Sequence, residues 1–112
     1  MADPATAFFE GLQGRHEPLL EKATATVRVD LVDEGRTERW HVSISKGDLA
    51  VSKRNAPADC VIRADRALFG RVAAGKQNAV AAVLRGAIGF EGNPELLVLF
   101  QRLFPGRKAG RR

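Results

Sequence analysis

The last third of the chain, residues 65–104, constrains the fold most, because it carries more apolar side chains than a small sheet needs to cover one face. Three runs with apolar residues at helical spacing surround one short predicted strand, residues 88–90. This surplus favours a chain that encloses something apolar, and the same stretch holds no set of residues that could carry out a reaction. Helices buried on two sides, by the sheet and by one another, would use the surplus equally well.

The middle of the chain predicts a sheet with one buried face. Apolar and polar residues alternate in three segments separated by turns at 33–35 and 46–48, which is typical of an antiparallel meander. A fourth strand is predicted over residues 59–64. The alternating apolar positions of the meander are Val27, Val29, Leu31, Trp40, Val42, Ile44, Leu49 and Val51.

Four stretches carry helix start and stop signals, namely a capping Asp or Asn ahead of the first turn and Gly or Pro after the last one. The predicted helices cover residues 4–13, the stretch from Asp65 to Gly75, the stretch from Asn78 to Arg85 and the stretch from Asn93 to about Phe104. Because strands and helices are segregated along the chain, we predict an α+β fold with a mainly antiparallel sheet and helices on one face.

The chain has 112 residues, which is the size of one domain, and its net charge of +5 sits mainly at one end. Residues 105–112 hold four basic groups and no acid, so the remaining chain carries only +1. We therefore predict one domain over residues 1–104 and a flexible basic tail over residues 105–112. A nearly neutral body argues against nucleic-acid binding, whereas the tail could touch an anionic membrane transiently.

The sequence shows neither a membrane span nor a leader. No apolar run approaches the roughly 20 residues that cross a bilayer, and no basic region followed by an apolar stretch opens the chain. The single cysteine, Cys60, rules out a disulfide framework and fits a reducing compartment. We expect a cytoplasmic protein.

The residue types that most often carry chemistry are few and scattered. His16 and His41 are the only histidines, and neither has another ligand-type residue four positions away, so no metal site is predicted. Cys60 lies in a predicted strand with no base placed near it. The glycines at 86, 89 and 92 follow neither the dinucleotide nor the phosphate-loop spacing. We expect neither an enzyme nor a bound cofactor.

The last predicted helix carries an apolar stripe wider than the roughly 100° expected of a helix that lies on a core. One side of it could pack while the other lines a cavity, both sides could be buried, or one could form a homodimer face. Periodicity does not choose among these alternatives. The stripe consists of Leu96, Leu97, Leu99, Phe100, Leu103 and Phe104.

Three segments, in their order and spacing, resemble the sterol carrier protein type 2 family. Residues 40–47, WHVSISKG, are similar to its second strand and turn, and residues 68–79, LFGRVAAGKQNA, to its two-helix segment with a glycine break. Residues 85–93, RGAIGFEGN, are similar to its last strand, which the closing helix follows. The resemblance covers residues 5–104, and the chain is similar to a stand-alone, bacterial-like member.

The resemblance implies a five-stranded sheet with helices over one face and an apolar tunnel between them. It also implies non-catalytic binding of fatty acids, fatty acyl-CoA, phospholipids or sterols, linked to lipid transfer, although the same domain occurs fused to enzymes in an accessory role. An interaction or enzyme-accessory module with a closed cavity, a homodimer included, is therefore the alternative function.

On the basis of this resemblance we place a ligand cavity along apolar residues of the sheet and helices, with a basic group at its mouth. Binding would be driven by partition of an acyl chain, at about 0.8 kcal/mol per buried CH₂. The predicted lining residues are Val42, Ile44, Leu68, Phe69, Val72, Val80, Val83, Leu84, Ile88, Phe90, Leu97, Phe100 and Phe104. The candidates for contact with a ligand head group are Arg71, Lys76 and Arg85.

Two departures from the family pattern affect what is expected. Asn93 stands where many relatives have aspartate, and since both cap helices the fold is not in question. The sequence ends Gly110-Arg111-Arg112 instead of the small-basic-leucine signal of peroxisomal members, so import by that route is not expected.

Overall fold

The computed structural model describes residues 3–103, so Phe104 and the tail predicted over residues 105–112 lie outside the described residues. Within that range the chain forms five strands and four α-helices. The strands are β1 (Thr24–Asp33), β2 (Arg36–Ser45), β3 (Asp48–Ser52), β4 (Cys60–Asp65) and β5 (Gly89–Gly92). The helices are α1 (Pro4–Leu12), α2 (Arg66–Ala73), α3 (Ala79–Leu84) and α4 (Pro94–Gln101), and a 3-10 turn covers Pro18–Leu20.

The five strands form one mixed sheet in the order β3-β2-β1-β4-β5. The pairs β1–β2, β2–β3 and β4–β5 are antiparallel, and β1–β4 is parallel because the chain crosses from the β3 edge to the far side of β1. The predicted α+β fold with a mainly antiparallel, five-stranded sheet is confirmed. The parallel pair in its centre is a feature that the strand pattern did not reveal.

The predicted element ends differ from the observed ones by one to three residues. The first helix ends at Leu12, and the strand predicted over 88–90 covers Gly89–Gly92. The last helix ends at Gln101, and its following residues tighten into a turn in which the Leu103 N–H donates to the Phe100 carbonyl at 2.9 Å. Such i→i+3 bonds commonly close the last turn of a helix, and apolar periodicity alone does not reveal them.

The predicted caps account for where each helix begins. The Asp3 carboxylate accepts from the Thr6 N–H at 2.8 Å, and Asp65 accepts from two N–H groups of the first turn of α2. Asn78 accepts from the Ala81 N–H and Asn93 from the Glu95 N–H, both at 2.9 Å. Each side chain satisfies an N–H group that has no partner inside its helix.

The core lies between one face of the sheet and the helices. Its centre is the fully buried Phe9 of α1, whose ring stacks on Trp40 of β2 at 4.7 Å and on Phe69 of α2 at 5.4 Å between centroids. Val27 and Val29 of the central strand lie in the same core with no accessible surface. The helical layer is therefore fixed to the sheet most firmly where α1 and α2 cross it.

His16 ties the segment between α1 and β1 to the turn between β2 and β3. Its Nδ1 lies 2.7 Å from a carboxylate oxygen of Asp48, and its Nε2 lies 2.8 Å from one of Glu21. Only the imidazolium can donate from both ring nitrogens. The hydrogen bonds to Glu21 and then to Asp48 raise the pKa of His16 above its ordinary value of 6.5.

We expect these two contacts of His16 to make the free energy of unfolding depend on pH between about 5.5 and 8.5. Since the folded pKa is raised, the stabilisation is fully present below the unfolded pKa and is lost as pH rises through the folded pKa. Melting curves of the wild type and of His16→Gln should therefore differ most at pH 5.5 and converge toward pH 8.5. Nuclear magnetic resonance titration should give His16 a pKa above 6.5.

The control is His41→Gln, which removes the other histidine, whose Nε2 lies 3.3 Å from the Pro57 carbonyl oxygen. The difference between the wild type and His16→Gln should keep its pH dependence when both proteins also carry His41→Gln. A difference between the wild type and His16→Gln that stays constant over this range would contradict the assignment.

Candidate functional site

The residues predicted to line a cavity lie mostly where the helices meet the sheet. The buried ones are Val42, Ile44, Leu68, Phe69, Val72, Ile88, Leu97 and Phe100. Val80, Val83 and Phe90 are partly buried against the same core. Leu84, the last residue of α3, points outward with 82% of its surface exposed, and Phe104 lies outside the described residues.

The centre of this interface is filled by the protein's own side chains. Val42, Val72 and Phe100 have no accessible surface, so no space large enough for a water molecule touches them. An acyl chain can reach them only if side chains move or a helix shifts. The tunnel therefore stays a prediction, and the question becomes which helix can move at the lowest cost.

The burial of the helices answers that question. Helix α2 buries Leu68, Phe69 and Val72, at about 1.5–3 kcal/mol for each large side chain. Helix α3 has six residues and buries only Ala79 and Ala82, whose methyl groups contribute about 0.8 kcal/mol each. Displacing α3 is therefore the less costly way to open the interface.

Both α3 and α4 carry partly buried apolar residues. Val80 and Val83 of α3, with Leu96 of α4, pack against the core while keeping some exposure, and we call these three residues the α3–α4 edge. Leu99 of α4 is also partly buried, but it lines a separate groove with Pro18 and Leu19. Exposed Val98 on α4 extends its apolar surface outward, as Leu84 does on α3.

Gln101 on α4 is the polar residue that links these two helices, and the apolar pattern gave no reason to select it. It is 9% exposed, and its Oε1 accepts from the Ala79 N–H at 2.9 Å and from the Val80 N–H at 3.2 Å. Those N–H groups belong to the first turn of α3 and have no partner inside that helix. The sequence signal that could have found Gln101 is a lone amide at position i+4 from Leu97, within the predicted apolar stripe.

Two of the three head-group candidates share one groove. Arg71 and Lys76 line an open space of about 440 Å³ beside α2, whose other walls include Pro4, Ala67 and Gly70. Lys76 belongs to the connection that leads directly into α3. Arg85 follows α3, is exposed and does not line this groove.

A third basic residue of the groove, Arg66, is already neutralised by acidic side chains. Arg66 forms ion pairs with Asp3 and Glu38, and its Nε lies 3.8 Å from a carboxylate oxygen of Asp33. Burial opposes the charge of Glu38, but hydrogen bonds from Lys53 and Trp40 and the charge of Arg66 together lower the pKa of Glu38. Arg66 therefore holds α1, α2 and β2 together, and the charges available to an anionic ligand are those of Arg71 and Lys76.

Among residues 3–103, the two histidines and the cysteine lie apart from one another or are already engaged with other groups. Both nitrogens of His16 face carboxylates, and Cys60 is buried in β4. Burial, helped by the charge of Asp59, raises the pKa of Cys60 to about 11. Within residues 3–103 no three His, Cys, Asp or Glu side chains are grouped so that they could hold a metal ion.

Because its thiol stays protonated, we expect Cys60 to react slowly in the folded protein. Labelling with a thiol reagent at pH 7.5 should proceed at least tenfold more slowly than in the unfolded chain. Mass spectrometry measures the single label, since the chain has one cysteine. Equal rates in both states would contradict the buried position of Cys60.

None of the helices within residues 3–103 is long and apolar enough to cross a membrane.

Comparison with known proteins bears on this arrangement. Residues 5–105 match the model of the SCP-2 sterol transfer family. The chain is similar to sterol carrier protein 2 from Yarrowia lipolytica in its apo form, with 25% identity, a TM-score of 0.65 and coverage of 88% of this chain and 74% of that chain. A comparison with curated proteins gives no match.

Two further solved structures share the fold at lower identity. Sterol carrier protein domain 2 of Helicoverpa armigera is 18% identical, with a TM-score of 0.71 and coverage of 94% of this chain and 91% of that chain. Palmitated SCP2L2 from Aedes aegypti is 13% identical, with a TM-score of 0.59 and coverage of 73% of each chain. At these identities the likeness shows the fold alone.

Proposed function

Because the chain belongs to the SCP-2 sterol transfer family, which indicates lipid binding or transfer at a general level, we propose that it is a non-catalytic carrier of one acyl lipid. The acyl chain would lie between the sheet and the helices and enter at the α3–α4 edge. The family match over residues 5–105 is the observation that carries this proposal. The apolar interface and the shallow burial of α3 support it.

The free energies favour such binding even though the interface is closed. A sixteen-carbon chain gains roughly 10 kcal/mol gross when it leaves water, at about 0.8 kcal/mol per CH₂. Against this stand the cost of ordering the chain and the loss of the contacts of α3, which buries two alanines and partly buries Val80 and Val83. The driving force is apolar and needs few polar contacts. Broad selectivity among acyl chains follows, which suits a carrier.

The charged groups favour a ligand with an anionic or polar head. Arg71 and Lys76 carry charges without a carboxylate partner among the described residues, and Lys76 lies three positions before α3. The Aedes aegypti structure of the same fold is palmitated, which makes a fatty acid the first candidate. We propose fatty acids and their esters as ligands and place the carrier in the cytoplasm. The basic tail would contact anionic membranes transiently.

The alternative is an interaction module whose interface stays closed. The outward-facing Leu84 and Val98, exposed by 82% and 51%, favour it because exposed apolar side chains on neighbouring helices can form a dimer face. In that case the purified protein would carry no lipid and would form a stable dimer.

Titration with a fluorescent sixteen-carbon fatty acid tests the carrier. We expect saturation at one ligand per chain with micromolar affinity, and native mass spectrometry of gently purified protein should show one bound lipid. Val83→Ser at the α3–α4 edge should weaken binding about tenfold, since it removes apolar contact equivalent to about 1.5 kcal/mol. Circular dichroism checks that the variant is folded.

The matched control is Leu84→Ser, which makes the same kind of change at the adjacent, exposed position. It should leave affinity within twofold of the wild type. Equal loss in both variants would reject entry at the α3–α4 edge. A wild-type protein that is free of lipid, does not bind the fatty acid and is dimeric would establish the interaction module instead.

A further inference from the structure

The Gln101 amide nitrogen is one of two buried side-chain polar atoms without a hydrogen-bond partner among residues 3–103, and the other, Arg39 Nε, lies 3.7 Å from a carboxylate oxygen of Asp30. The carboxamide of Gln101 has one acceptor and two donor hydrogens. Its oxygen is occupied by the Ala79 and Val80 N–H groups at 2.9 and 3.2 Å, and this fixes which end of the amide is the nitrogen. Among residues 3–103, Nε2 has no hydrogen-bond partner although it is buried.

Such a group calls for an explanation, because buried donors are almost always paired with an acceptor. The surroundings of Gln101 on its own helix are apolar, since Leu97, Phe100 and Leu103 are buried beside it. The amide also lies under the first turn of α3, the helix that is least firmly held. Any ligand that enters beneath α3 therefore meets a donor that no protein acceptor competes for.

From this geometry we propose that the Gln101 Nε2 donates to the carboxylate or ester carbonyl oxygen of the bound lipid. Gln101 is then a binding residue with two functions: its oxygen closes α3 over the site, and its nitrogen orients the polar end of the ligand. The inference rests on the proposed lipid binding and adds the position and polarity of the head group. Lys76, three residues before Ala79, carries a positive charge in the connection that leads into α3.

The assignment requires a ligand with a hydrogen-bond acceptor at the end of its chain. Hexadecanoate and its methyl ester both have one, whereas hexadecylammonium has the same chain and no acceptor. Comparison of these three probes separates the contact with Nε2 from partition of the apolar chain.

Gln101→Glu is the informative variant, because a carboxylate keeps acceptors for the two N–H groups of α3 and removes both donors. At pH 8 we expect it to weaken hexadecanoate and methyl hexadecanoate at least tenfold, which corresponds to about 1.4 kcal/mol. Hexadecylammonium should bind as tightly as to the wild type, or more tightly. Gln77→Glu is the matched control, since it introduces the same charge at a partly exposed glutamine near α3, and its effect on methyl hexadecanoate should stay within twofold.

A second measurement observes the Gln101 amide of the wild type directly. In protein labelled with ¹⁵N, the side-chain amides come from three glutamines and three asparagines, and that of Gln101 can be assigned by its absence in Gln101→Glu. Saturating hexadecanoate should shift this signal more than those of Gln13 and Gln77.

The possible results distinguish lipid binding by the protein from the specific role of Gln101. If the wild type binds hexadecanoate while the Gln101 amide signal does not move, the role of Gln101 is rejected and lipid binding stands. The role is equally rejected if Gln101→Glu weakens all three probes alike. If the wild type binds none of the three probes, both the carrier function and the role of Gln101 are wrong.

Discussion

The position of Phe9 between Trp40 and Phe69 is the contact on which the rest of the helical layer depends. It joins α1, β2 and α2 through two stacked ring pairs at 4.7 and 5.4 Å. Charged groups reinforce the same region: Glu38 accepts from the Trp40 indole N–H at 3.1 Å and pairs with Arg66 and Lys53. Aromatic burial and a partly buried ion network thus fix one end of the helical layer, and α3 lies outside both.

This uneven distribution of contacts gives the fold a firm part and a loose part. A sheet whose central strands hold fully buried side chains such as Val27, Val29 and Val42 can keep its shape while a six-residue helix moves, because α3 shares few buried side chains with it. A carrier needs both properties, since a rigid layer throughout would exclude the ligand and a loose one would not remain folded without it. The two properties come from different helices: α2 buries large side chains and is held firmly, whereas α3 buries alanines and can move at lower cost.

The sequence predicted the features that depend on neighbouring residues, namely where helices begin and which segments form strands. The caps at Asp3, Asp65, Asn78 and Asn93 mark where the helices begin, and period-two alternation marks β1 to β3. It did not predict the parallel β1–β4 pair, because strand order depends on how the crossing chain packs and not on the alternation within a strand. Nor does an apolar stripe distinguish Leu84, which the end of α3 turns outward, from Val83 beside it. Gln101 was missed for the converse reason, since its place in the core depends on N–H groups of another helix.

The filled interface also bears on selectivity. In the proposed mode of entry, the helical layer would close around whichever acyl chain displaces α3, and differences in chain shape would change affinity little. Selectivity among lipids must then come from the polar end of the ligand, because each hydrogen bond is stronger in the low dielectric of the protein interior. The described residues offer few groups for that purpose, because Arg66 is neutralised by acids and His16 is occupied by carboxylates far along the chain from α3. In the proposed binding mode, the polar groups around α3 are therefore the place where one lipid class would be distinguished from another.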